Sequence, residues 1–323
     1  MRKTGLISTG RTGSESCRVS YQRPGSFRCR FALIALGSVF VLSPPCSSGE
    51  PSSLESRLAP LAKAHKGQVA VAVKHLDTGE SYFLNADAPM PTASLIKLAV
   101  MVEVYCQVEE DKVKLSDMVT LDKADMVPGS GVLTQHFSPG ASFPLRDAVR
   151  LMIVYSDNTA TNLVLDQVGI RAVNRRMAAL KMPNTRINAK VFRGSTTSVD
   201  PERTKAFGLG STTARESVAL MELIHRAQVG SPAGCKAMLD HLKKCDDKDK
   251  FTRFLPPTVT VAHKTGSVSD DRTDAGILYF KQGPVALCVL TAKNEDQAWK
   301  VENAGNVLCA KVAKEVYDYF SSK

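Results

Sequence analysis

The chain has 323 residues, of which 43% are hydrophobic and 23% charged, as is typical of a globular protein with a large buried core. Its formal net charge of +10 would suit nucleic acid or a membrane surface, but seven of the basic side chains lie within residues 1–30, beside a single acid. After residue 46 the balance is 35 basic to 31 acidic side chains, with no dense basic cluster and interleaved aromatics. We therefore expect no nucleic-acid partner.

Residues 1–46 are predicted to be a leader segment. Its basic part runs into an apolar stretch, F-A-L-I-A-L-G-S-V-F-V-L at 31–42, which is followed by S-P-P-C-S-S. Twelve helical residues span about 18 Å, too short for the roughly 30 Å hydrocarbon core of a bilayer. This order is typical of a secretory signal. We expect an exported protein, periplasmic or secreted, that is anchored to a membrane only if Cys46 carries a lipid.

A linker composition at 47–53 precedes helical periodicity from Leu54 to about Ala64. Two strand-like runs follow at 68–76 and 81–85, and the turn D-T-G-E between them predicts a hairpin.

Residues 94–245 are mostly helical by pattern. Helices are predicted at 146–156, 158–168, about 213–228 and 232–245, with irregular stretches at 127–133 and 194–210. Strand patterns return at 258–264, 275–280 and 285–290, before a C-terminal helix from about Asn303 to Phe320.

This order predicts a two-lobed α/β (α+β) fold over residues 54–323. A five-stranded antiparallel sheet flanked by the N- and C-terminal helices would form one lobe, from about 54–93 and 256–323. The helical middle, about 94–255, would be inserted as a second lobe.

The exported part contains cysteines at 106, 235, 245, 288 and 309, and none forms a C-x-x-C pair or a zinc-like cluster with histidine. Cys235 and Cys245 are predicted to share one helix, where ten residues separate them by about 15 Å. A disulfide needs Cα atoms within about 7 Å, so this pair should not bridge. We interpret the set as buried apolar thiols.

Three short motifs carry the chemistry: S-L-I-K at 94–97, S-D-N at 156–158 and K-T-G at 264–266. Each alone is typical of a helix cap or a turn. Together, in this order and on predicted helix, loop and strand, they supply the parts of a serine acyl-transfer enzyme.

Ser94 at a helix start is the predicted nucleophile, because the helix N-terminus favours the oxyanion formed during acylation. Lys97 follows three residues later, shares the helix face, and is the predicted proton acceptor. A partly dehydrated pocket with other cations nearby would lower the pKa of this lysine.

The other two motifs would bind substrate and move protons. Ser156 would pass a proton to the leaving nitrogen, and Asn158 would donate to a substrate amide or hold Lys97. Lys264 and Thr265 would hold a substrate carboxylate, and Gly266 would leave room for substrate along the strand. The backbone N–H groups of Ser94 and Ser267 would form the oxyanion hole.

With these motifs the chain resembles the class A serine β-lactamase family and its close serine-hydrolase relatives over roughly residues 54–320. The most specific part of the resemblance is S-D-N-T-A-T-N-L at 156–163. It implies a two-lobed fold with the site between the lobes, no metal or organic cofactor, and the roles given above for Ser94, Lys97, Ser156, Asn158, Lys264 and Thr265.

The sequence departs from the family at two places. Family members hydrolyse the acyl-enzyme with a water held by a glutamate in the pattern E-x-x-L-N, and no such string occurs here. D-P-E at 200–202 holds the candidate acids, and we favour Glu202. An arginine after K-T-G often backs the carboxylate site, and Arg272 is the candidate, with Asp274 as the alternative for that position.

The resemblance predicts β-lactam hydrolysis through acyl-Ser94 by a monomer. One alternative is a D-alanyl-D-alanine peptidase that acts on cell-wall peptide with the same motifs. Another is a penicillin-binding sensor or decoy that stays acylated, and a third is a degenerate relative without catalysis. The missing E-x-x-L-N favours slow turnover.

Overall fold

The computed structural model of the protein describes Ser20 and residues 53–323. The predicted leader, Cys46 and linker residues 47–52 therefore lie outside the described residues. The described residues from Ser53 onward belong to one compact unit, which contains all the elements that follow. Within the part that is described, no helix has the length and hydropathy needed to cross a membrane.

The first elements form where the sequence predicts them. Ser53 caps the first helix with its hydroxyl, which accepts a hydrogen bond from the backbone N–H of Ser56 at 3.1 Å. The elements up to residue 109 are α1 (Leu54–Ala64), β1 (Gln68–His75), β2 (Ser81–Leu84), β3 (Met90–Pro91), a 3-10 turn (Ala93–Ile96) and α2 (Lys97–Glu109). The first two strands pair as the predicted hairpin.

The helical middle is organised around α2, whose residues are buried from Lys97 to Gln107. A helix that is buried all round belongs at the centre of a lobe. Around it lie β4 (Met118–Thr120), a 3-10 turn (Lys123–Asp125), α3 (Leu133–His136), β5 (Ser142–Pro144), α4 (Leu145–Val154), α5 (Asn158–Val168), α6 (Ile170–Ala179), β6 (Arg186–Ile187), α7 (Gly194–Thr197), α8 (Pro201–Phe207), β7 (Gly210–Thr212), α9 (Ala214–His225) and α10 (Pro232–Leu242).

Two predictions for this region were wrong in detail. The stretch 194–210, expected to be irregular, contains α7 and α8. The Asp200 side chain caps α8 and Pro201 occupies its first turn, a start signal that the sequence already shows. The helix expected over 232–245 ends at Leu242, so Cys245 lies beyond it.

The sheet that completes the fold is antiparallel and ordered β2-β1-β10-β9-β8, which confirms the predicted fold class. After a 3-10 turn (Phe251–Phe254), its C-terminal elements are β8 (Thr260–Ser267), β9 (Arg272–Phe280), β10 (Gly283–Ala292) and the final helix α11 (Ala304–Ser321). The strands are longer than predicted because their polar ends pair as fully as their apolar centres, for example Ser267 with Arg272.

The two faces of the sheet pack against different helices, as alternation along each strand requires. In β1, Val71 and Val73 belong to the core shared with Leu308 and Val312 of α11. Their neighbours Ala70 and Ala72 belong to the larger core shared with the helical middle. The edge strand β8 lies at the boundary between the lobes and carries the K-T-G motif to it.

Candidate active site

The turn that carries Ser94 packs tightly against the end of β8. Ala93, just before it, has a φ of 46°, an uncommon left-handed conformation for a residue with a Cβ. Thr273 donates a hydrogen bond from Oγ1 to the carbonyl of Thr92 at 2.9 Å, which ties the turn to β9. Ser94 itself is half-buried at the surface of a cavity.

Gly266 makes this close approach possible. A Cβ at this position would lie 2.4 Å from the Thr92 carbonyl oxygen and 2.9 Å from the backbone nitrogen of Leu95. Such distances are far below van der Waals contact. Gly266 lines the cavity, and a Cβ there would point at the serine turn. Glycine at this position therefore lets β8 approach the turn that carries Ser94, a reason that the sequence did not indicate; its role in leaving room for substrate along the strand stays a prediction.

The hydroxyl of Ser156 lies between two lysine side chains. Lys97 Nζ is 3.3 Å from Ser156 Oγ, and Lys264 Nζ is 3.0 Å from the same oxygen. Lys97 also donates to the Ser156 carbonyl at 2.7 Å and to Asn158 Oδ1 at 2.9 Å. Ser156 has a φ of 53°, and this strained backbone directs its carbonyl and hydroxyl to the same lysine.

Both lysines are fully buried. Burial, followed by the charge of Lys264, holds the pKa of Lys97 well below its usual value, and the nearby Asp157 only partly opposes this. Burial also lowers the pKa of Lys264, while Cys245 and Asp247 act to raise it. Lys97 is thus the amine that loses its proton more readily, as a proton acceptor requires.

The loop at 127–133 supports the S-D-N motif from the other side. The Asp157 carboxylate accepts hydrogen bonds from the backbone N–H groups of Val132 and Leu133 at 2.7 and 2.8 Å. Gly131 has a φ of 118°, and a Cβ there would lie 2.3 Å from that carboxylate. The tight loop therefore requires glycine.

Sequence reasoning missed Ser130. Its hydroxyl donates to the Ser156 carbonyl at 2.7 Å and lies 3.4 Å from Asn158 Oδ1. The signal for Ser130 is weak, because it is one serine in a glycine-rich loop whose sequence predicts only irregular structure. The structure adds it to the polar groups around Ser94.

Ser94, Ser130 and Ser267 border two adjoining cavities. We call the first the Lys264 side, a cavity of about 260 Å³. Its remaining lining residues are Val154, Tyr155, Ser156, Cys245, Asp246, Asp247, Lys264, Thr265 and Gly266. We call the second the Phe192 side, a cavity of about 360 Å³. Its remaining lining residues are Ala93, Gly129, Asn158, Ala189, Lys190, Val191, Phe192, Gly194, Thr204, Gly208, Leu209 and Val268.

Glu202 is not brought to either cavity. It lies exposed in the first turn of α8, where an acid favours the helix N-terminus. Asp200 is occupied as the cap of the same helix. None of the residues described along the Phe192 side is an acid, and its cation, Lys190, is paired with Asp166. The structure thus gives no support to Glu202 as a deacylating base.

Arg272 also lies elsewhere. Its buried guanidinium donates to the backbone carbonyls of Asp271 at 2.8 Å and Ala298 at 3.1 Å, and it lies 5.0 Å from the ring centre of Trp299. It therefore holds loop backbone and does not back a carboxylate site. Asp274, the alternative for that position, is fully buried against His263.

Thr265 has a partner that the sequence did not indicate. Its side chain forms a hydrogen bond with the Asp247 carboxylate, which also pairs with the buried Lys250 at 2.7 Å. Although burial acts to raise the pKa of Asp247, the charge and hydrogen bond of Lys250 lower it. A fixed anion thus lies beside the position predicted to receive a substrate carboxylate.

A serine at a strained turn, in the lining of the same cavity as a serine hydroxyl held between two buried lysines, defines a serine hydrolase of the acyl-transfer class. Comparison with known proteins narrows this class to one family. The sequence model of the β-lactamase enzyme family matches residues 53–320. A β-lactamase from Streptomyces cellulosae is 27% identical over 272 residues, 80% of this chain and 84% of that protein. The Toho-2 β-lactamase of Escherichia coli is 25% identical over 266 residues, 80% of this chain and 86% of that protein.

Solved structures agree with the sequence comparison. A β-lactamase from Sphaerobacter thermophilus superimposes with a TM-score of 0.73 at 28% identity, covering 83% of this chain and 98% of that one. PBP-A superimposes equally well, with a TM-score of 0.73, at 24% identity, over 84% of this chain and 96% of that one, and this likeness concerns the fold. The chain belongs to the β-lactamase enzyme family.

Proposed function

We propose that this protein opens β-lactam rings by forming an acyl-enzyme on Ser94, and that release of the product is the slow step. The observation that carries the proposal is the Ser156 hydroxyl held between the Nζ atoms of Lys97 and Lys264, at 3.3 and 3.0 Å. This arrangement can take a proton from the nucleophile and return it to a leaving nitrogen. Hydrolysis of β-lactams by the sequence relatives supports the same conclusion.

Acylation would begin at Ser94. Neutral Lys97 accepts the proton of Ser94 Oγ as this oxygen attacks the lactam carbonyl carbon, and the backbone N–H groups of Ser94 and Ser267 stabilise the oxyanion. When the carbon–nitrogen bond breaks, Ser156 gives its proton to the ring nitrogen. Lys97 then returns a proton to Ser156, which restores both groups.

The substrate carboxylate would lie on the Lys264 side. Lys264 supplies a buried positive charge and Thr265 a hydroxyl, both directed by the end of β8. Because Asp247 already engages Thr265, the free energy of carboxylate binding depends on how far Lys250 neutralises Asp247. The part of the Asp247 charge that Lys250 does not neutralise would favour substrates that carry a cationic group next to the carboxylate.

Product release is proposed to be slow because it needs a water activated by a base. A positioned general base contributes roughly 100- to 10,000-fold to such a step. The residues described on the Phe192 side provide apolar groups, amides and hydroxyls there, without a carboxylate. Lys97 or Ser156 would have to serve deacylation as well as acylation.

A second function is favoured by this same lack of a carboxylate. A penicillin-binding protein that stays acylated, or a D-alanyl-D-alanine peptidase, would use the Lys264 side in the same way. For either, the β-lactam is an inhibitor and not a substrate. The lifetime of the adduct separates these functions.

The test is to mix the protein with penicillin G and follow intact mass and ring-opened product together. We expect a Ser94 adduct that forms quickly and clears with repeated turnover, and no adduct in Ser94→Ala. The exposed serine in Ser195→Ala, on α7, serves as the control and should leave both rates unchanged. An adduct that persists for hours without product would replace hydrolysis by the penicillin-binding function, and no adduct at all would refute both.

We also propose that the protein is exported, on the basis of the basic leader and the apolar stretch at 31–42. Expression of the full chain in a Gram-negative host, followed by N-terminal sequencing of the mature protein, tests this. Cleavage shortly after residue 42 would support export, and an intact N-terminus in the cytoplasm would refute it.

A further inference from the structure

A cysteine, a histidine and an aspartate meet behind the K-T-G strand, although they are far apart in sequence. His263 on β8 and Asp274 on β9 are both buried, and His263 Nδ1 lies 3.0 Å from each carboxylate oxygen. The Cys245 thiol, in the segment after α10, forms a side-chain interaction with the same ring. Because Asp274 occupies Nδ1, Nε2 is the ring nitrogen left for the sulfur; Nε2 is buried and makes no hydrogen bond of ordinary geometry with any of the described residues.

The surrounding fold fixes the ring of His263. Phe251 stacks on it with ring centres 6.2 Å apart and planes 21° apart. The backbone N–H of Phe251 also donates to Asp274 at 3.1 Å. Opposite the histidine, a Cβ at Gly276 would lie 2.5 Å from His263 Cβ and 2.5 Å from the Ala262 carbonyl oxygen, so glycine permits the close pairing of β9 with β8 at this position. The three groups form a triad in which an acid orients a histidine toward a nucleophile.

The electrostatics of the triad favour a thiolate. Burial alone would raise the pKa of the Cys245 thiol, but the charge and hydrogen bond of His263, together with Lys264, lower it to about 7. Burial alone would lower the pKa of His263, but Asp274 and Cys245 raise it to about 10. The other charged groups facing this cluster are Asp247 and Lys250, which pair with each other.

Other cysteines in the described part lack this environment. All five described cysteines are buried and unpaired, as predicted. Burial raises the pKa of Cys106 to about 11 and raises that of Cys235 as well. Cys235 is as buried as Cys245, at 2% exposure, and its sulfur meets only a backbone carbonyl. Cys245 thus differs from Cys106 and Cys235 in the charged groups that lie beside it and not in its burial.

Cys245 also has a route to solvent. It lines the 260 Å³ cavity on the Lys264 side, together with Ser94, Ser156 and Thr265. With 2% of its surface exposed, only a small reagent can reach it. The sulfur therefore lies at the wall of the same cavity that receives the substrate.

We propose that Cys245 is a thiolate modification site in the wall of the substrate cavity, with His263 as its proton partner and Asp274 as the group that orients His263. Small electrophiles and oxidants are its reactants. With hydrogen peroxide, the thiolate attacks one peroxide oxygen and the oxygen–oxygen bond breaks. The sulfur is oxidised to a sulfenic acid, and the departing hydroxide takes the proton of His263 to become water.

Modification has a consequence for the substrate site, and this part rests on the proposed function. The Cys245 thiolate helps to keep Lys264 protonated, and an uncharged, larger sulfenic acid would remove that support. We expect oxidised protein to acylate Ser94 at least tenfold more slowly, because Lys264 would hold the substrate carboxylate less well. A thiol reductant restores the rate, since sulfenic acid is reversible.

The first test needs no β-lactam. Full-length folded protein is treated with hydrogen peroxide and dimedone, and labelling at each cysteine is measured by peptide mass spectrometry. We expect Cys245 to label at least tenfold faster than Cys235, its equally buried control. If exposure alone governed the reaction, Cys106, at 6% exposure, would label fastest, and this result would overturn the proposal.

A pH profile tests the triad itself. Alkylation of Cys245 by iodoacetamide should follow a midpoint near 7 in the native protein. Asp274→Asn should move that midpoint upward, because the histidine loses the carboxylate that keeps it charged, and His263 lowers the pKa of Cys245 more than Asp274 directly raises it. If the variant does not fold, the native profile still decides: a midpoint above 9 at Cys245 would refute the thiolate.

The link to activity is measured separately. Cys245→Ala also lacks the thiolate beside Lys264, so it should acylate with penicillin G as slowly as the oxidised native protein, and peroxide should slow it no further. A further loss of acylation rate in peroxide in this variant would refute the regulatory part. Failure of untreated native protein to acylate would refute the proposed function and leave the dimedone result standing.

Discussion

The Lys264 side and the Phe192 side share three serines, yet they differ in what they can do. On the Lys264 side the Ser156 hydroxyl lies within hydrogen-bond distance of two buried lysines, and Thr265 lines the same cavity. On the Phe192 side the described lining is apolar, apart from amides, hydroxyls and one paired lysine. Acylation and deacylation therefore depend on different parts of the site, and substitutions on each side should affect them separately.

Replacing Lys97 should have the largest effect, because it disables the Lys264 side. Lys97→Ala should slow acylation on the order of 1,000-fold, within the range that general acid–base groups contribute. Rapid mixing followed by intact-mass analysis measures this rate. Lys236→Ala, on an exposed lysine of α10, provides the control. A loss below tenfold would show that Lys97 is not the proton acceptor.

Adding a carboxylate to the Phe192 side should supply the general base that its described lining lacks. Val191 is held rigidly, since the Asn162 side chain binds its N–H at 2.8 Å and its carbonyl at 3.0 Å. Val191→Glu should speed deacylation about 100-fold, the lower end of a general base's contribution. Val191→Gln has the same size without the charge and should not. Equal adduct lifetimes in both variants would contradict the proposed difference between the two sides.

A substitution at Gly266 tests whether the close packing of β8 against the turn that carries Ser94 is needed for acylation. A Cβ at 2.4 Å from the Thr92 carbonyl must move about 1 Å to reach ordinary contact, and such a displacement of reacting groups costs about 100-fold in rate. Gly266→Ala should therefore slow acylation by about this factor and lower the free energy of unfolding by about 1–3 kcal/mol. Gly194→Ala is the control, because its Cβ would be 3.6 Å from Thr204 Cγ2. An unchanged acylation rate would exclude the positioning role.

The pH dependence of acylation should report Lys97 and Lys264 together. The rate should rise as Lys97 loses its proton, at a pH well below the usual lysine pKa of 10.5, because burial and Lys264 lower it. Lys264→Gln removes one cause of the lowered pKa and should move this rising limb to higher pH, which lowers the acylation rate at a fixed pH on the limb. Lys264→Arg keeps the charge and should keep the limb. A limb that moves equally in both variants would show that geometry, not charge, sets it.

Glu202 should have the smallest effect of all. The residue is exposed on α8 and lies outside both cavities. Glu202→Gln should change acylation and deacylation less than twofold, as surface substitutions usually do. The decay of the penicillin adduct is the measurement. A trapped adduct would restore Glu202 as the base and would show that α8 moves to Ser94 when substrate binds.

Much of the fold could be predicted because it depends on local signals. The Ser53 cap, the hairpin of β1 and β2 and the periodicity of α11 are each encoded within a few residues. The start of α8 was missed although its signal, Asp200 followed by proline, is present. The composition of the stretch 194–210 is typical of a loop, and it therefore predicted irregular structure in place of a helix.

The residues predicted to carry out acylation can be read from local motifs whose spacing marks the family: Ser94, Lys97, Ser156 and Lys264. Which of the remaining residues lie near them depends on the tertiary structure. In the folded protein Arg272 binds loop backbone. The pairing of β8 with β9 brings His263 to Asp274, and the segment after α10 packs Cys245 beside them. Sequence spacing fixes neighbours along one helix or strand, whereas contacts between elements depend on packing that no local pattern records.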